Sequence, residues 1–433
     1  MIDALAKKTL LSRLPLLKGG TLTLLNDSGL TRFSGDAQSA SIMRGRPPID
    51  AMLVVHDDAF YKRVLFGSDI GLGEAYMDGQ WSSPDVVAFT RLMIRNTALV
   101  EQEGGLARAA VRMAGAVARR LRDNSLTGSR KHIREHYDLG NDFFRLFLDE
   151  RHLMYSSAYF ASPADTLEQA QEQKLEQICR KLALKPSDHV LEIGTGWGGF
   201  AVHAATKYGC RVTTTTISDE QYRHALEWVA RLGEVGSRIT VLKTDYRELQ
   251  GQFDKIVSIE MFEAVGLNHY DDYFGAADRL LKPDGSMLFQ TITVDDQHFP
   301  HYHGQPDWIE KYIFPGGELA SVGEVMKSLG RVTSLSMYHA ENFGSHYART
   351  LHEWRARFHR HLDQVRAQGF SERFIRMWDL YFAFCEAAFL ERHAGVYHIL
   401  LNRNYSDAQH FNEPWTSTVD AVEQESTAHA AVA

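Results

Sequence analysis

Hydrophobic and polar positions change their period three times along the chain. Up to about residue 100 the apolar residues fall in short alternating runs, Thr21 to Leu25 and Ala51 to Val55. Turn signals at Gly19-Gly20, Gly45 and Pro47-Pro48 separate them. The pattern predicts a small α+β accessory domain over 1–103. In its glycine-rich segment from Gly71 to Trp81, Tyr76 and Trp81 read as core residues. Between Gly104 and Asp123 the period becomes helical: Leu106, Ala110, Met113, Val117 and Leu121 share one face, while Arg108, Arg112, Arg119 and Arg122 take the other. Residues 104–135 are therefore expected to form a basic amphipathic helix and linker.

From His136 onward, helical and strand patterns alternate. A helix is expected over Glu168 to Leu184, and strands near 189–193, 211–217, 238–243, 253–259 and 285–293. This alternation predicts a doubly wound, mostly parallel α/β sheet, with a catalytic domain spanning 136–413. An aromatic segment at 295–320, carrying Trp308, Tyr312 and Phe314, has the length and placement of a lid or substrate loop. Residues 351–395 read as helices studded with aromatic residues, most of them core and a minority lining an apolar channel. Residues 414–433 lack any period and are expected to be a disordered tail.

In such a sheet the ligand sits beyond the carboxyl ends of the strands. The first strand, with Val190, Leu191 and Ile193 as its apolar run, leads into Gly194, Gly196 and Gly198, which let backbone approach a ligand without Cβ interference. Turns of this kind hold dinucleotides and S-adenosylmethionine alike. Glu192, two positions before the first glycine, meets the methyltransferase pattern. A dinucleotide site wants an acid about 20 residues after the glycines, and the strand from Arg211 has none before Asp219. S-adenosylmethionine is therefore favoured over NAD. The other strand ends carry Thr216 with Gln221, Asp245-Tyr246-Arg247, Glu260 with Glu263, and Gln290 to Ile292.

Composition narrows the setting. A chain of 433 residues with 44% hydrophobic content has room for two or three domains. No apolar run approaches the ~20 residues of a spanning helix, and the N-terminus, with Lys7 and Lys8, lacks a signal-peptide core, so a cytoplasmic protein is expected. Cys179, Cys210 and Cys385 are odd in number and scattered, which predicts neither a disulfide framework nor a metal site. The net charge of −8 argues against nonspecific nucleic-acid binding. Against that acidity the arginine strip, extended by Lys131 and Arg134, suits anionic lipid headgroups at ~1 kcal/mol per cation. A solvated helix linking two domains gives the same pattern.

Several separated motifs continue in order: Leu-Phe-Gly-Ser-Asp-Ile-Gly-Leu-Gly-Glu-Ala-Tyr-Met-Asp-Gly (65–79), His-Tyr-Asp-Leu-Gly-Asn-Asp-Phe-Phe-Arg-Leu-Phe-Leu-Asp (136–149), Tyr-Ser-Ser-Ala-Tyr-Phe (155–160) and Leu-Glu-Ile-Gly-Thr-Gly-Trp-Gly-Gly-Phe (191–200). Phe-Glu-Ala-Val-Gly (262–266), Lys-Tyr-Ile-Phe-Pro-Gly-Gly (311–317) and Asn-Phe-Gly-Ser-His-Tyr (342–347) follow. Over roughly residues 60–410 the chain resembles the cyclopropane-fatty-acyl-phospholipid synthases. The resemblance implies a Rossmann-like methyltransferase sheet with helical insertions and an S-adenosylmethionine site at Tyr155, Ser156, Glu192, Gly194, Gly196, Gly198, Thr216, Gln221, Tyr246 and Arg247. It further implies a bicarbonate ion held by Ser157, Glu263, Gln290, Ile292 and Tyr347. The implied substrates are unsaturated phospholipids, met peripherally at the inner membrane surface, and a substrate of that kind favours a homodimer.

The chemistry supports a caged base independently. A cis double bond is a weak nucleophile and must be held about 3 to 3.5 Å from the methyl it attacks, away from water. Methyl transfer leaves a carbocation, and ring closure requires a base for one methyl proton. A carboxylate free to collapse onto the cation would be a hazard, whereas an oxyanion fixed by hydrogen bonds can take the proton and stay put. Aromatic faces such as Tyr155 or Phe160 would add ~1 to 2 kcal/mol each when desolvated. Three residues depart from the family pattern: Ser157 stands where many members have Cys, Gln290 stands where well-known synthases have His, and Ala264 replaces a His after the glutamate. The variant also resembles members that add a plain methyl to the double bond, so C-methylation stays open beside cyclopropanation. A lipid-binding module with a vestigial fold and a soluble small-molecule methyltransferase are the readings from other classes.

Overall fold

Two sheets organise the molecule, whose computed structural model describes residues 2–34, 45–97, 139–303 and 307–403. The basic helix expected over 104–135, the tail from 414, and His136, Tyr137 and Asp138 of the second motif lie outside the described residues. The first sheet contains β1 (Gly20–Asn26), β2 (Gly29–Ser34), β3 (Ile49–Val55) and β4 (Trp81–Ser82), in the order β2-β1-β3-β4. Strands β1 and β3 are the two alternating runs of the sequence and pair in parallel. Strand β2, an exposed edge strand without apolar alternation, is the one that pattern does not announce.

The glycine-rich segment after residue 65 is helical. Helix Ala59–Met77 contains it and kinks at Ser68, where φ is 51°. Gly73 is there for packing, since a Cβ would stand 2.3 Å from the Trp308 indole. Tyr76 and Trp81 are buried with ring centroids 4.7 Å apart, as core residues.

The second sheet contains β5 (His189–Ile193), β6 (Arg211–Thr215), β7 (Ile239–Leu242), β8 (Phe253–Ile259), β9 (Leu281–Val294), β10 (Leu335–Asn342) and β11 (Ala394–Arg403). Their order is β10-β11-β9-β8-β5-β6-β7. The five expected strands form the parallel part, and β11 and β10 add an antiparallel edge. Those two strands went unanticipated for opposite reasons. β10 is an edge strand of which half the residues are polar, and β11 buries an unbroken run from His398 to Leu401 right after a long helix.

Helix Leu167–Lys181 opens on a capping box between Thr166 and Gln169. Helices Gly344–Arg360 and Glu372–Leu390 bring the aromatic residues of the C-terminal half together, and one apolar core runs from Leu22 and Leu24 of the first sheet through Phe89 and Trp378 to Trp354 and Tyr347. Each fully buried aromatic side chain in it contributes roughly 2 to 3 kcal/mol. The 295–320 segment lies against the N-terminal unit: Lys311 and Tyr312 both reach Glu74 (2.6 and 2.7 Å), and the Trp308 amide donates to Asp69. Among the described residues no helix is long and apolar enough to cross a membrane, and no cluster of side chains could hold a metal ion.

Candidate active site

The site forms where β5, β8 and β9 end side by side. At the end of β5, Gly194, Gly196 and Gly198 take φ values of 100°, 52° and 98°, the positive range that side chains disfavour and glycine adopts freely. The amides of Gly194 and Thr195 donate to the Thr215 carbonyl at 3.0 and 3.1 Å, tying the turn to β6. A Cβ at Gly194 would press on Met261 at 3.1 Å, whereas one at Gly196 would point into open space. Behind the turn, helix Gly199–Tyr208 starts with amides aimed at the crevice. These are the features a nucleotide-like sulfonium donor needs.

The other residues assigned to the cofactor stand on or near the neighbouring strand ends. Thr216 donates to Gln221 at 2.8 Å, fixing both at the end of β6. Arg247 grips Asp245 through two 2.8 Å contacts and lies 5.5 Å from the centre of the half-buried Tyr246 ring. Glu192 is buried on β5 with Oε2 unpartnered among the described residues, and burial pushes its carboxyl up to about 8. Ser156 accepts from Lys174 Nζ at 2.8 Å. That lysine is fully buried and pulled down to about 8 by burial, against the raising influence of Glu260, Asp149 and Glu192.

Two carboxylates from the loop after β8 dominate the crevice. Glu263 Oε1 accepts from the Ile292 amide at 2.6 Å and the Thr291 hydroxyl at 3.1 Å, while its Oε2 has no partner among the described residues. Glu260 Oε1 accepts from the Ser157 amide at 2.8 Å and from Gln290 Nε2 at 2.6 Å, and its Oε2 accepts from the Tyr347 hydroxyl at 2.7 Å. Both glutamates are half-buried, and the unpartnered Oε2 of Glu263 is itself shielded from solvent. Burial raises the affinity of both for a proton, and for Glu263 the charge of Glu260 adds to it. Two like charges so placed favour sharing one proton.

Behind Gln290 runs a directional chain. Lys181 Nζ stands 2.9 Å from His398 Nδ1, and His398 Nε2 stands 2.9 Å from Gln290 Oε1. An ammonium only donates, so His398 accepts at Nδ1 and carries its proton on Nε2. Burial, then the nearby Lys181 and Lys174 cations, keep that imidazole neutral. The Gln290 carbonyl is thereby turned to His398 and its NH2 to Glu260. Lys181 in turn is ion-paired to Glu341.

An aromatic wall closes the other side. Tyr155 lies 5.3 Å from Trp354 and 6.2 Å from Phe314, ring centre to ring centre, and its hydroxyl is 3.1 Å from that of Tyr381. Tyr347 packs edge-on to Trp354 and stacks on Phe389 at 4.6 Å. Phe314 thus brings the 295–320 segment to the site. Phe160 does not serve as a cation-facing ring there, because the Arg349 guanidinium already covers it at 4.0 Å.

The five residues assigned to a bicarbonate ion do converge, but they are engaged with protein carboxylates: Ser157, Gln290 and Tyr347 donate to Glu260, and Ile292 donates to Glu263. An ion there would have to displace Glu260. The sequence offered Glu260 only as one acid among several at the strand ends, and nothing in its pattern showed which side chain enters the cage. Lys174 and Lys181 were missed because lysines in so polar a helix read as solvated, and His398 because it sits within an apolar run.

A family model described as "Mycolic acid cyclopropane synthetase" matches residues 124–399. The chain is 39% identical to the cyclopropane-fatty-acyl-phospholipid synthase of Escherichia coli over 364 residues, covering 83% of this chain and 90% of that one. It is 36% identical over 393 residues to the tuberculostearic acid methyltransferase of Mycobacterium tuberculosis, covering 88% of each. Among solved structures, a mycolic acid cyclopropane synthase crystallised with SAH and CTAB superposes with a TM-score of 0.59 at 33% identity, covering 63% of this chain and 98% of that one.

Proposed function

The chain belongs to the mycolic acid cyclopropane synthetase family, and from that premise we propose that it closes cyclopropane rings on the cis double bonds of unsaturated phospholipid acyl chains, drawing the added carbon from S-adenosylmethionine. It is an S-adenosylmethionine-dependent transferase with the methyltransferase fold. The observation that carries the reading is the half-buried Glu260 and Glu263 pair beside the glycine turn, facing an aromatic wall.

Bound S-adenosylmethionine supplies an electrophilic methyl on a positively charged sulfur. The open face of Gly196 and the unpartnered oxygen of Glu192 fit it, and Thr216, Gln221, Tyr246 and Arg247 stand where they would hold it. Tyr155 and Phe314, backed by the fully buried Trp354, exclude water from the alkene and offer ring faces to the carbocation, each worth ~1 to 2 kcal/mol in a dry site. The carboxylate pair, sharing one proton, keeps an ionised oxygen ready for the proton lost on ring closure. Bicarbonate has no step here, because its implied ligands already hold Glu260 and Glu263.

Access from the membrane surface is supported by Leu5, Leu16, Leu30 and Phe66, all exposed on the N-terminal unit. C-methylation is the second reading, favoured by the extent of similarity to the tuberculostearic acid methyltransferase and by Gln290 in place of His. Expression in a host without cyclopropane lipids, followed by mass spectrometry and proton NMR of the acyl chains, tests both. Ring closure adds one CH2 unit, removes the alkene signal and gives ring protons, whereas C-methylation leaves a methyl branch or exocyclic methylene. Monounsaturated chains left unchanged would overturn both.

A further inference from the structure

We infer that Glu260 is a built-in base that replaces a free anion, so that this enzyme works without bicarbonate. The inference rests on the ring-closing reading above and deepens it.

Three donors from three separate elements converge on one carboxylate: the Ser157 amide, the Gln290 side chain from β9 and the Tyr347 hydroxyl from helix Gly344–Arg360. Such convergence is how a protein holds a small oxyanion. Here the oxyanion is covalently attached. Its backbone is unusual as well, with φ at 47°, in the left-handed region that glycine tolerates and glutamate disfavours. A strained residue whose side chain fills a built cage, rather than solvent, points to function. Gln290 is aimed at Glu260 by the Lys181 and His398 chain behind it, and a neutral amide cannot compete for the proton.

Tethering answers the hazard of an ionised carboxylate near a carbocation. With both oxygens engaged by donors, Glu260 is held from swinging onto the cationic carbon to form an ester. It acts on the hydrogen instead: one C–H bond of the newly transferred methyl breaks, its electron pair forms the third ring bond to the cationic carbon, and the proton goes to a Glu260 oxygen. The resulting carboxylic acid returns the proton to water before the next turnover. Glu263, with its free Oε2, holds the shared proton that keeps the pair at a single negative charge.

The test uses the full-length protein, S-adenosylmethionine and vesicles of monounsaturated phospholipid, in buffer stripped of carbon dioxide or supplemented with millimolar bicarbonate. Wild type is expected to turn over at the same rate in both, and carbon-13 NMR of labelled bicarbonate should show no binding. Glu260→Gly empties the cage and relaxes the backbone. Its rate is expected to fall by about 10²-fold or more without bicarbonate and to recover in part when bicarbonate is added, with binding visible by NMR. Glu260→Gln keeps the cage filled, so it should be equally slow and not rescued. Unchanged affinity for S-adenosylmethionine serves as the folding control for both variants. A wild-type requirement for bicarbonate, or normal turnover by Glu260→Gln, overturns the inference while leaving the lipid reading intact. A wild type inactive on every unsaturated lipid tried removes the lipid reading and this inference with it.

Discussion

Glu263 and Glu192 are both acids with one buried, unpartnered oxygen, yet they do different work. Glu263 faces the cleft beside Glu260, so Glu263→Ala should lower turnover by about 10²-fold or more and leave S-adenosylmethionine affinity nearly intact. Steady-state rates set against calorimetric binding would check this, and normal turnover would remove the pair from the mechanism. Glu192 shows its state through stability. In the native protein it keeps its proton up to about pH 8, whereas the unfolded chain releases it near 4.5. The native state therefore binds the extra proton, and without added cofactor wild-type stability should fall as pH rises from 4.5 to about 8. Glu192→Gln should flatten that slope, as melting temperatures of both proteins across the range would reveal. At this scale the residue types were legible and their pairings were not. Gln290 stood out at a strand end and Tyr347 in a motif, but that they would hold Glu260 depends on a left-handed backbone at a glutamate, which no pattern of apolar positions encodes.

Elements were legible where local punctuation marks their ends. Strands β5 to β9 announce themselves by short apolar runs between turn signals, and helix Leu167–Lys181 by its capping box. The failures came where that punctuation is lost: β11 follows almost directly on a long helix and carries His398 in its apolar run, while β10 is half polar on the sheet edge. Helix Ala59–Met77 shows the same limit, because glycines that look like turn residues are there to admit a neighbour. A methyl at Gly73 would overlap the Trp308 ring, and neither the helix backbone nor a buried indole moves freely. Gly73→Ala is therefore expected to cost about 1 to 3 kcal/mol in denaturant unfolding and to loosen the 295–320 segment, which carries Phe314 to the site. A tryptophan emission shift without change in S-adenosylmethionine affinity would locate the effect at Trp308; an unaltered unfolding curve would refute it.

On the scale of the whole molecule, the N-terminal sheet is fastened to the catalytic half by charge as well as by apolar packing. Glu391, at the end of helix Glu372–Leu390, meets Arg46, Arg91 and Arg95 at 2.7 to 2.8 Å. One face further along, Asp379 accepts from the Tyr76 hydroxyl at 2.5 Å, from Arg355 at 2.7 Å, and contacts His359 at 2.7 Å. Burial alone would raise this carboxyl, but His359 and Arg355 hold it far below its ordinary 3.8. Its stabilising effect is thus fully present above that value and lost only as pH falls below it. Asp379→Asn leaves Arg355 half-buried without its counter-charge and should destabilise the protein by about 2 to 4 kcal/mol at neutral pH. Because the group joins Tyr76 of the first unit to the helix that backs the aromatic wall, the loss should appear in one unfolding transition shared by both halves. The gap between variant and wild type should stay constant down to about pH 5 and narrow below 3.8. Melting curves followed at several pH values decide this: a gap that widens on acidification would mean that Asp379 is not held ionised by its partners, and the electrostatic link between the two sheets would have to be given up.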